Sequence, residues 1–92
     1  MLKKVVKWFS TKMLEQLQAN QHKIGWDDES NEYLLNELDR NVVKLMMATS
    51  LFDMKDNAVV RESSRKEILR RTANIANFAM MIADNANREA NK

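Results

Sequence analysis

Apolar side chains recur every three or four residues in three stretches of this 92-residue chain, which is the spacing of an amphipathic helix. The first stretch predicts a helix from Leu2 to Ala19. Its apolar stripe consists of Leu2, Val5, Val6, Phe9, Met13 and Leu17. The period breaks over Gln18–Glu29, which contains the only Gly, so this segment is predicted to connect the first two helices.

A second helix is predicted to begin after Ser30, because a serine hydroxyl suits the N-cap position. Glu32 in the first turn favours the same start, since acids stabilise the positive end of the helix dipole. This helix is expected to end near Thr49. Its predicted buried seam consists of Leu35, Leu38, Val42 and Leu45.

The third helix is predicted to open at Ser64-x-x-Glu67, a pattern typical of a capping box, and to continue to about Asn87. Residues 50–62 stay ambiguous between a connection and a further turn of helix. The predicted seam of the third helix consists of Ile68, Ile75 and Ile82, flanked by Leu69, Ala76, Phe78 and Ala83.

The composition favours an all-α fold, because the chain has no Pro and one Gly while turn-rich strand folds need both. The length suits one helical domain over residues 1–92. The absence of Cys and the single His exclude disulfides, thiolate zinc sites and multi-histidine metal sites. The apolar runs are too short to span a bilayer, so we expect a cytoplasmic protein with no membrane partner. The small core predicts a homo-oligomer.

The net charge is +2, but the charged residues form blocks of opposite sign along the chain. Residues 1–25 carry five Lys and one Glu, for +4, and residues 26–39 carry six acids and no base, for −6. Residues 40–71 carry eight bases and four acids, for +4, and the remaining residues balance. Such blocks favour local electrostatic contacts or pairing between subunits. Nucleic acid is not expected as a partner, because no recognisable DNA- or RNA-binding motif arranges the bases.

Three features of the sequence are candidates for ligand binding on their chemistry alone. In the first connection, His22 and Lys23 can meet phosphate, and Trp26 can stack on a base; the alternative is a tryptophan at the edge of the core. Trp8 lies off the apolar stripe of its helix, so it is a candidate for binding or for an interface. Like charges four residues apart, such as Arg40 and Lys44, indicate either a solvated surface or a bound anion.

Four short strings carry a family resemblance. They are Lys7-Trp8-Phe9, residues 20–26 (NQHKIGW), Glu32-Tyr33-Leu34-Leu35, and the most specific one, residues 76–85 (ANFAMMIADN). With these strings, the chain from about Lys7 to Asn85 resembles the short phage-encoded members of the MazG-like, all-α nucleoside triphosphate pyrophosphohydrolases. The resemblance implies a MazG-like helical fold that assembles as a dimer or a dimer of dimers, with pockets between helices.

The resemblance also implies magnesium held by two acidic pairs, one on the second helix and one on the third. In this register the four positions fall on Asn41, Lys44, Arg71 and Asn74, and none is a carboxylate. Such a set does not suit Mg²⁺, which prefers oxygen ligands. Lys44 and Arg71 can instead hold phosphate directly. No metal and no other cofactor is therefore expected.

These observations predict a catalytically inactive relative that binds a nucleotide in a metal-free cationic pocket. The expected phosphate-binding residues are Lys44, Arg71, Asn41, Asn74, Arg40, Lys23 and His22, and the expected stacking or pocket residues are Trp8, Trp26 and Asn77. In a phage setting the expected role is anti-defence, by sequestration of a nucleotide immune signal such as a cyclic oligonucleotide or an ADP-ribose-type messenger in the host cytoplasm.

Two alternatives stay open. The chain can be a helical module for protein–protein interaction with a vestigial pocket. It can also be an active magnesium-dependent pyrophosphohydrolase if its acidic pairs are Glu29-x-x-Glu32 and Asp53-x-x-Asp56 instead.

Overall fold

All regular secondary structure in the described part of the chain is helical. A computed structural model describes residues 1–20, 29–53 and 57–90. They form three helices, α1 (Leu2–Ala19), α2 (Asn31–Phe52) and α3 (Ala58–Ala90), and these ranges contain no strand. The all-α prediction is confirmed, as are both ends of the first helix.

The beginning of α2 is fixed by the predicted cap. The Ser30 hydroxyl oxygen accepts a hydrogen bond of 3.1 Å from the backbone N–H of Tyr33, and Glu32 lies in the first turn. This bond satisfies one of the amides that a helix start leaves unpaired. The other end of α2 lies three residues beyond the predicted Thr49, at Phe52.

The predicted start of α3 at Ser64 is wrong, because the helix begins six residues earlier at Ala58. Asn57 provides the cap: its Oδ1 accepts hydrogen bonds of 3.0 Å and 3.1 Å from the backbone N–H groups of Val59 and Val60. Ser64 is instead a buried residue in the helix interior. An earlier cap therefore displaces the capping box.

Helices α2 and α3 pack against each other over much of their length, whereas α1 contacts mainly α3. The buried residues of α2 are Leu34, Asn41 and Ala48, seven residues apart. The predicted seam is therefore partly wrong: Leu38 packs against the core, but Leu35 is 50% exposed. Ala48 and Ala73 are small enough to bring the two helix backbones close together.

The apolar core is thin and lies at one end of the helix pair. Leu34, Phe78 and Met81 are buried, and Leu17, Leu38 and Ile82 pack around them. The radius of gyration is 15.1 Å, compared with about 12 Å for a compact domain of this length. No helix within the described ranges is both long and apolar enough to cross a membrane.

Candidate functional site

A cavity of about 280 Å³ opens where the end of α1 meets the middle of α2 and α3. Its lining residues are Gln16, Leu17, Asn20, Glu37, Asn41, Arg71, Asn74, Asn77, Phe78 and Met81. Leu17, Phe78 and Met81 also belong to the core. The cavity therefore has an apolar wall continuous with the core and a polar wall that is rich in side-chain amides.

Asn41 is the centre of the polar wall. It lies on the face of α2 that packs against α3 and is 6% exposed. Its Nδ2 donates to the backbone oxygen of Glu37 at 2.8 Å, which directs Oδ1 towards α3. That oxygen accepts hydrogen bonds from Nη1 of Arg71 at 2.9 Å and from Nδ2 of Asn74 at 3.3 Å. A buried amide with these partners avoids the cost of an unpaired polar group.

The guanidinium of Arg71 is held in place from two sides. Its Nε donates to a carboxylate oxygen of Glu67 one turn earlier on α3, and its Nη1 donates to Asn41. The Arg71 side chain is 17% exposed. Its Nη2 group makes no hydrogen bond to the residues that the structure describes. A fixed guanidinium with a free donor group suits an anionic ligand atom.

Glu67 is the carboxylate shared by Arg70 and Arg71. Partial burial raises the pKa of Glu67, but the hydrogen bonds and charges of the two arginines outweigh it and hold the pKa below its ordinary value of 4.5. Glu67 therefore stays ionised at neutral pH. Its charge partly neutralises Arg71 and orients it.

We expect Glu67→Gln to reduce the loss of stability in acid. Because the pKa is lowered in the folded state, Glu67 stabilises the protein above pH 4.5, and this contribution is lost as the pH falls through the lowered value. The free energy of unfolding, measured by urea titration between about pH 7 and pH 3, should fall less steeply in the variant.

Glu62→Gln provides the matched control, since Glu62 pairs with Arg65 on the exposed side of the same helix and its pKa is also lowered. Exposed pairs contribute little to stability, so this variant should keep nearly the wild-type pH dependence. Equal effects of the two substitutions would show that the Glu67 pairs contribute no more than surface pairs do.

Asn77 joins α1 to α3 beside the cavity. It is 3% exposed, and its Nδ2 donates to the backbone oxygen of Met13 at 2.9 Å. Its Oδ1 is buried and has no hydrogen-bond partner among the described residues. A buried acceptor without a partner costs about 1–3 kcal/mol. Asn77 thus forms one contact between helices at the cost of one unsatisfied atom.

Replacing Asn77 with Leu should change the free energy of unfolding by less than about 1 kcal/mol. The substitution removes one hydrogen bond, worth about 0.5–1.5 kcal/mol, and also removes the unsatisfied oxygen. Asn77→Ala should destabilise more, because it also leaves a void. Urea unfolding of both variants measures the difference. A loss above about 2 kcal/mol for the Leu variant would show that Asn77 has a favourable contact beyond its bond to Met13.

Among the lining residues that the structure describes, the formal charges balance. Arg71 contributes one positive charge and Glu37 one negative charge, and the others in these described ranges are uncharged. Five of them, Gln16, Asn20, Asn41, Asn74 and Asn77, carry side-chain amides. The cavity is therefore better suited to hydrogen-bonding groups with one anionic centre than to a polyphosphate.

Lys44 does not line this cavity, although it was predicted to act together with Arg71. It lies one turn further along α2 and lines a separate groove with Met47, Ala48, Leu51, Ser63, Ser64 and Glu67. The structure therefore brings together three of the four substituted positions, Asn41, Arg71 and Asn74, and separates the fourth.

The remaining predicted residues lie elsewhere. Arg40 is exposed and forms an ion pair of 3.8 Å with Glu37. Trp8 is 47% exposed, with its ring beside Phe9, and does not line the cavity. His22, Lys23 and Trp26 lie outside the described residues.

Sequence reasoning missed Gln16, Asn20 and Glu37 as lining residues. Glu37 could have been found, because it precedes Asn41 by one helical turn and so shares its side of α2. No feature of the sequence indicated Gln16 and Asn20, because their position at the cavity depends on where α1 packs against α3.

Among the described residues, one member of each alternative acidic pair can be placed, and the two lie far apart within a single chain. Glu32 lies in the first turn of α2, whereas Asp53 follows its last residue, so the helix separates them by about 30 Å. Asp56 lies outside the described residues. Within the described ranges, no group of three or more His, Cys, Asp or Glu residues is placed to hold a metal ion.

Three helices and an amide-rich cavity define a small all-α protein with one fixed arginine in a polar site. Comparison with protein-family models, with curated proteins and with solved structures finds no match to the chain. The relation to the MazG-like family stays a prediction, carried by the sequence strings quoted above.

Proposed function

We propose that this protein binds a nucleotide in the cavity without metal and does not hydrolyse it. The observation that carries the proposal is the hydrogen-bonded set of Asn41, Arg71 and Asn74 on two facing helices. The family resemblance implies metal-binding carboxylates at these three positions. The chain has a guanidinium and two amides there, in a geometry fixed by mutual hydrogen bonds.

The cavity offers separate groups for each part of a nucleotide. Nη2 of Arg71 is available to a phosphate oxygen, and a charge-assisted hydrogen bond of this kind is stronger than one between neutral groups. The side-chain amides can pair with the edge of a base, since each carries both a donor and an acceptor. Phe78 and Met81 provide the apolar surface that a base needs.

The size and charge of the cavity favour a ligand portion with a single phosphate. Its volume of about 280 Å³ lies just below the roughly 300–1,000 Å³ that ligand pockets span. Glu37 opposes additional negative charge and can accept a hydrogen bond from a ribose hydroxyl or an amino group. One nucleotide unit of a larger messenger therefore suits the cavity better than a triphosphate does.

Binding without turnover suits a protein that sequesters its ligand. Pyrophosphate hydrolysis in the family that the chain resembles relies on magnesium, and the Asn41, Arg71 and Asn74 side chains provide no carboxylate to hold it. In the phage setting that the resemblance implies, we propose a cytoplasmic role in which the protein sequesters a host nucleotide immune signal. Cyclic oligonucleotides consist of the single-phosphate units that the cavity favours. An ADP-ribose-type messenger, whose two phosphates are joined as a pyrophosphate, is the second candidate.

Isothermal titration calorimetry with EDTA present tests the proposal directly. The panel consists of nucleoside monophosphates, nucleoside triphosphates, cyclic dinucleotides and ADP-ribose. We expect micromolar or tighter binding of at least one single-phosphate or cyclic ligand, no requirement for Mg²⁺, and no release of phosphate. Weaker binding at higher salt is also expected, since screening acts over roughly 8–10 Å. If no member of the panel binds at micromolar concentration, the proposal is wrong.

A second candidate function is a helical module that binds another protein. The specific observation in its favour is the set of exposed apolar side chains on α1 and α2, among them Val5, Val43 and Met46. Capture of one stoichiometric host protein by both the wild type and Arg71→Glu would favour this function, because the partner would then not depend on the cavity.

A further inference from the structure

A second concave surface lies beside the cavity, where α1 meets the first half of α3. We call it the basic groove. Its volume is about 170 Å³, and its lining residues are Lys12, Glu15, Gln16, Lys66, Leu69 and Arg70. Three of these residues carry a positive charge and one carries a negative charge. The basic groove therefore has an excess of positive charge, whereas the charges of the described cavity lining balance.

The basic groove is continuous with the cavity. Gln16 is a lining residue of both. Arg70 of the groove precedes Arg71 of the cavity, and the two guanidinium groups bind the two different oxygens of the Glu67 carboxylate. Arg70 and Asn74, which lines the cavity, are also one turn apart on α3. A ligand that fills the cavity can therefore extend past Gln16 into the groove.

Lys66 provides a positive charge that no carboxylate neutralises. Among the residues that the structure describes, it forms no ion pair, whereas Lys12 pairs with Glu15 at 3.5 Å and Arg70 pairs with Glu67. Lys66 and Arg70 are one turn apart on the same face of α3, and like charges at this spacing destabilise a helix. A bound anion would remove this repulsion, so the groove suits a phosphate group.

The cavity by itself leaves part of a larger nucleotide uncovered. Its volume of about 280 Å³ and the single Nη2 group of Arg71 suit one nucleotide unit with one phosphate. A second unit must therefore lie outside it. The groove that contains Lys44 shares no described lining residue with the cavity, whereas the basic groove shares Gln16. The basic groove is thus the surface onto which a second unit extends.

The arrangement of charges favours two phosphates that are separated by a sugar. The Glu67 carboxylate lies between Arg70 and Arg71 and is ionised at neutral pH. Two phosphates joined as a pyrophosphate would concentrate their charge at one place near this carboxylate, which repels them. Phosphates on two nucleotide units can instead reach separate groups, Arg71 in the cavity and Lys66 in the groove. The charges therefore favour a dinucleotide over an ADP-ribose-type ligand.

We propose that the basic groove holds the second phosphate of a cyclic dinucleotide whose first unit occupies the cavity. Lys66 binds this phosphate from α3. Lys12 binds it from α1, since the exposed pair of Lys12 with Glu15 is weak. The proposal rests on the proposed function, and it restricts the ligand to dinucleotides that carry one phosphate on each unit.

Calorimetry with EDTA tests the second phosphate site by comparing ligands of the same base. The probes are cyclic di-AMP against AMP and cyclic di-GMP against GMP. We expect the wild type to bind one cyclic dinucleotide at least about tenfold more tightly than the matching monophosphate. Lys12→Gln/Lys66→Gln should weaken binding of that dinucleotide by about tenfold or more, because both lysines of the second site are removed. Its affinity for the monophosphate should stay within about twofold, since Arg71 and Glu67 are unchanged.

Lys3→Gln/Lys4→Gln is the matched control. It removes the same charge from the beginning of α1, at least about 12 Å along the helix from Lys12. Neither lysine lines the groove or the cavity. The control should therefore keep both affinities within about twofold of the wild type. Circular dichroism checks that both variants remain helical.

The second phosphate site is wrong if the cyclic dinucleotide binds no more tightly than its monophosphate. It is also wrong if Lys12→Gln/Lys66→Gln keeps the wild-type affinity, loses equal affinity for both ligands, or loses no more than the control. Binding of the monophosphate would in each of these cases still support the cavity as a nucleotide site. If ADP-ribose binds and neither cyclic dinucleotide does, the groove proposal is wrong while the cavity proposal stands. If no nucleotide of the wider panel binds, the proposed function itself is wrong.

Discussion

Replacing Arg71 with Gln is expected to weaken nucleotide binding by at least about tenfold, whereas Lys44→Gln should leave the affinity within about twofold. Arg71 lines the cavity, and Asn41 and Glu67 fix its guanidinium. A hydrogen bond to a charged group contributes about 1.5–3 kcal/mol, which corresponds to a change of roughly 10- to 150-fold in affinity. Lys44 lines a different groove and does not contact the cavity.

Comparison of Arg71→Gln with Lys44→Gln distinguishes a phosphate held by Arg71 from a ligand attracted by the net charge of the protein. Both remove one positive charge, so a ligand attracted only by the net charge would lose affinity equally with either variant. Calorimetry with the best ligand of the panel gives the affinities, and circular dichroism checks that Arg71→Gln stays folded without its bond to Glu67. If Arg71→Gln binds as tightly as the wild type, the guanidinium does not hold the phosphate. If Lys44→Gln loses as much affinity as Arg71→Gln, the net charge governs binding and the cavity does not.

The second large effect concerns stability. Leu34→Ala should lower the free energy of unfolding by about 2–5 kcal/mol. Leu34 is 1% exposed and packs against Phe78 and Met81 in the only cluster of buried apolar residues among those described. A chain of this length has a total stability of roughly 5–14 kcal/mol. The loss is therefore a large part of the total, because few other buried residues remain to hold α2 on α3.

Leu14→Ala is the matched control for this effect. It makes the same chemical change at a residue of α1 that is 54% exposed, so it should cost less than about 0.5 kcal/mol. Urea unfolding followed by circular dichroism at one fixed protein concentration compares the two variants, since association would otherwise add to the stability. Equal losses would contradict the position of the core, because they would show that Leu34 is no better buried than Leu14.

The sequence determined the local structure of this protein well. The all-α class, the bounds of α1 and the Ser30 cap of α2 were all predicted from short stretches of residues. These features depend on contacts within one or two helical turns, such as periodic apolar spacing and a hydroxyl near a free amide. Local chemistry suffices to specify them.

The third helix shows where local signals compete. The sequence analysis placed the start of the third helix at the Ser64-x-x-Glu67 box and left residues 50–62 ambiguous. It did not single out Asn57, although asparagine also suits an N-cap. The helix begins after Asn57, and Ser64 is buried where α3 packs against α2. A small side chain at this position suits close helix packing better than it suits an exposed cap. The Asn57 cap and the packing of Ser64 against α2 thus both favour the earlier start.

The side of α2 that faces the core was likewise decided by tertiary packing. The helix carries two apolar stripes, one through Leu34 and Leu38 and one through Leu35 and Val42, and both have helical spacing. The sequence favoured the second stripe for part of the seam, but α3 covers the first and leaves Leu35 half exposed. Periodicity shows that a face is apolar, and it does not show which neighbour covers it.

Part of the candidate site was likewise predicted from the sequence, and part of it depends on tertiary packing. The predicted family resemblance singled out Asn41, Arg71 and Asn74 from the sequence, and the structure joins them by hydrogen bonds across two helices. The separation of Lys44 from the cavity, and the contribution of Gln16 and Asn20, could not be predicted. The sequence fixes which side chains share a face of one helix, because that depends on 3.6 residues per turn. Which faces meet, and what charge they enclose, depends on how the helices pack, and that packing involves residues far apart in the chain.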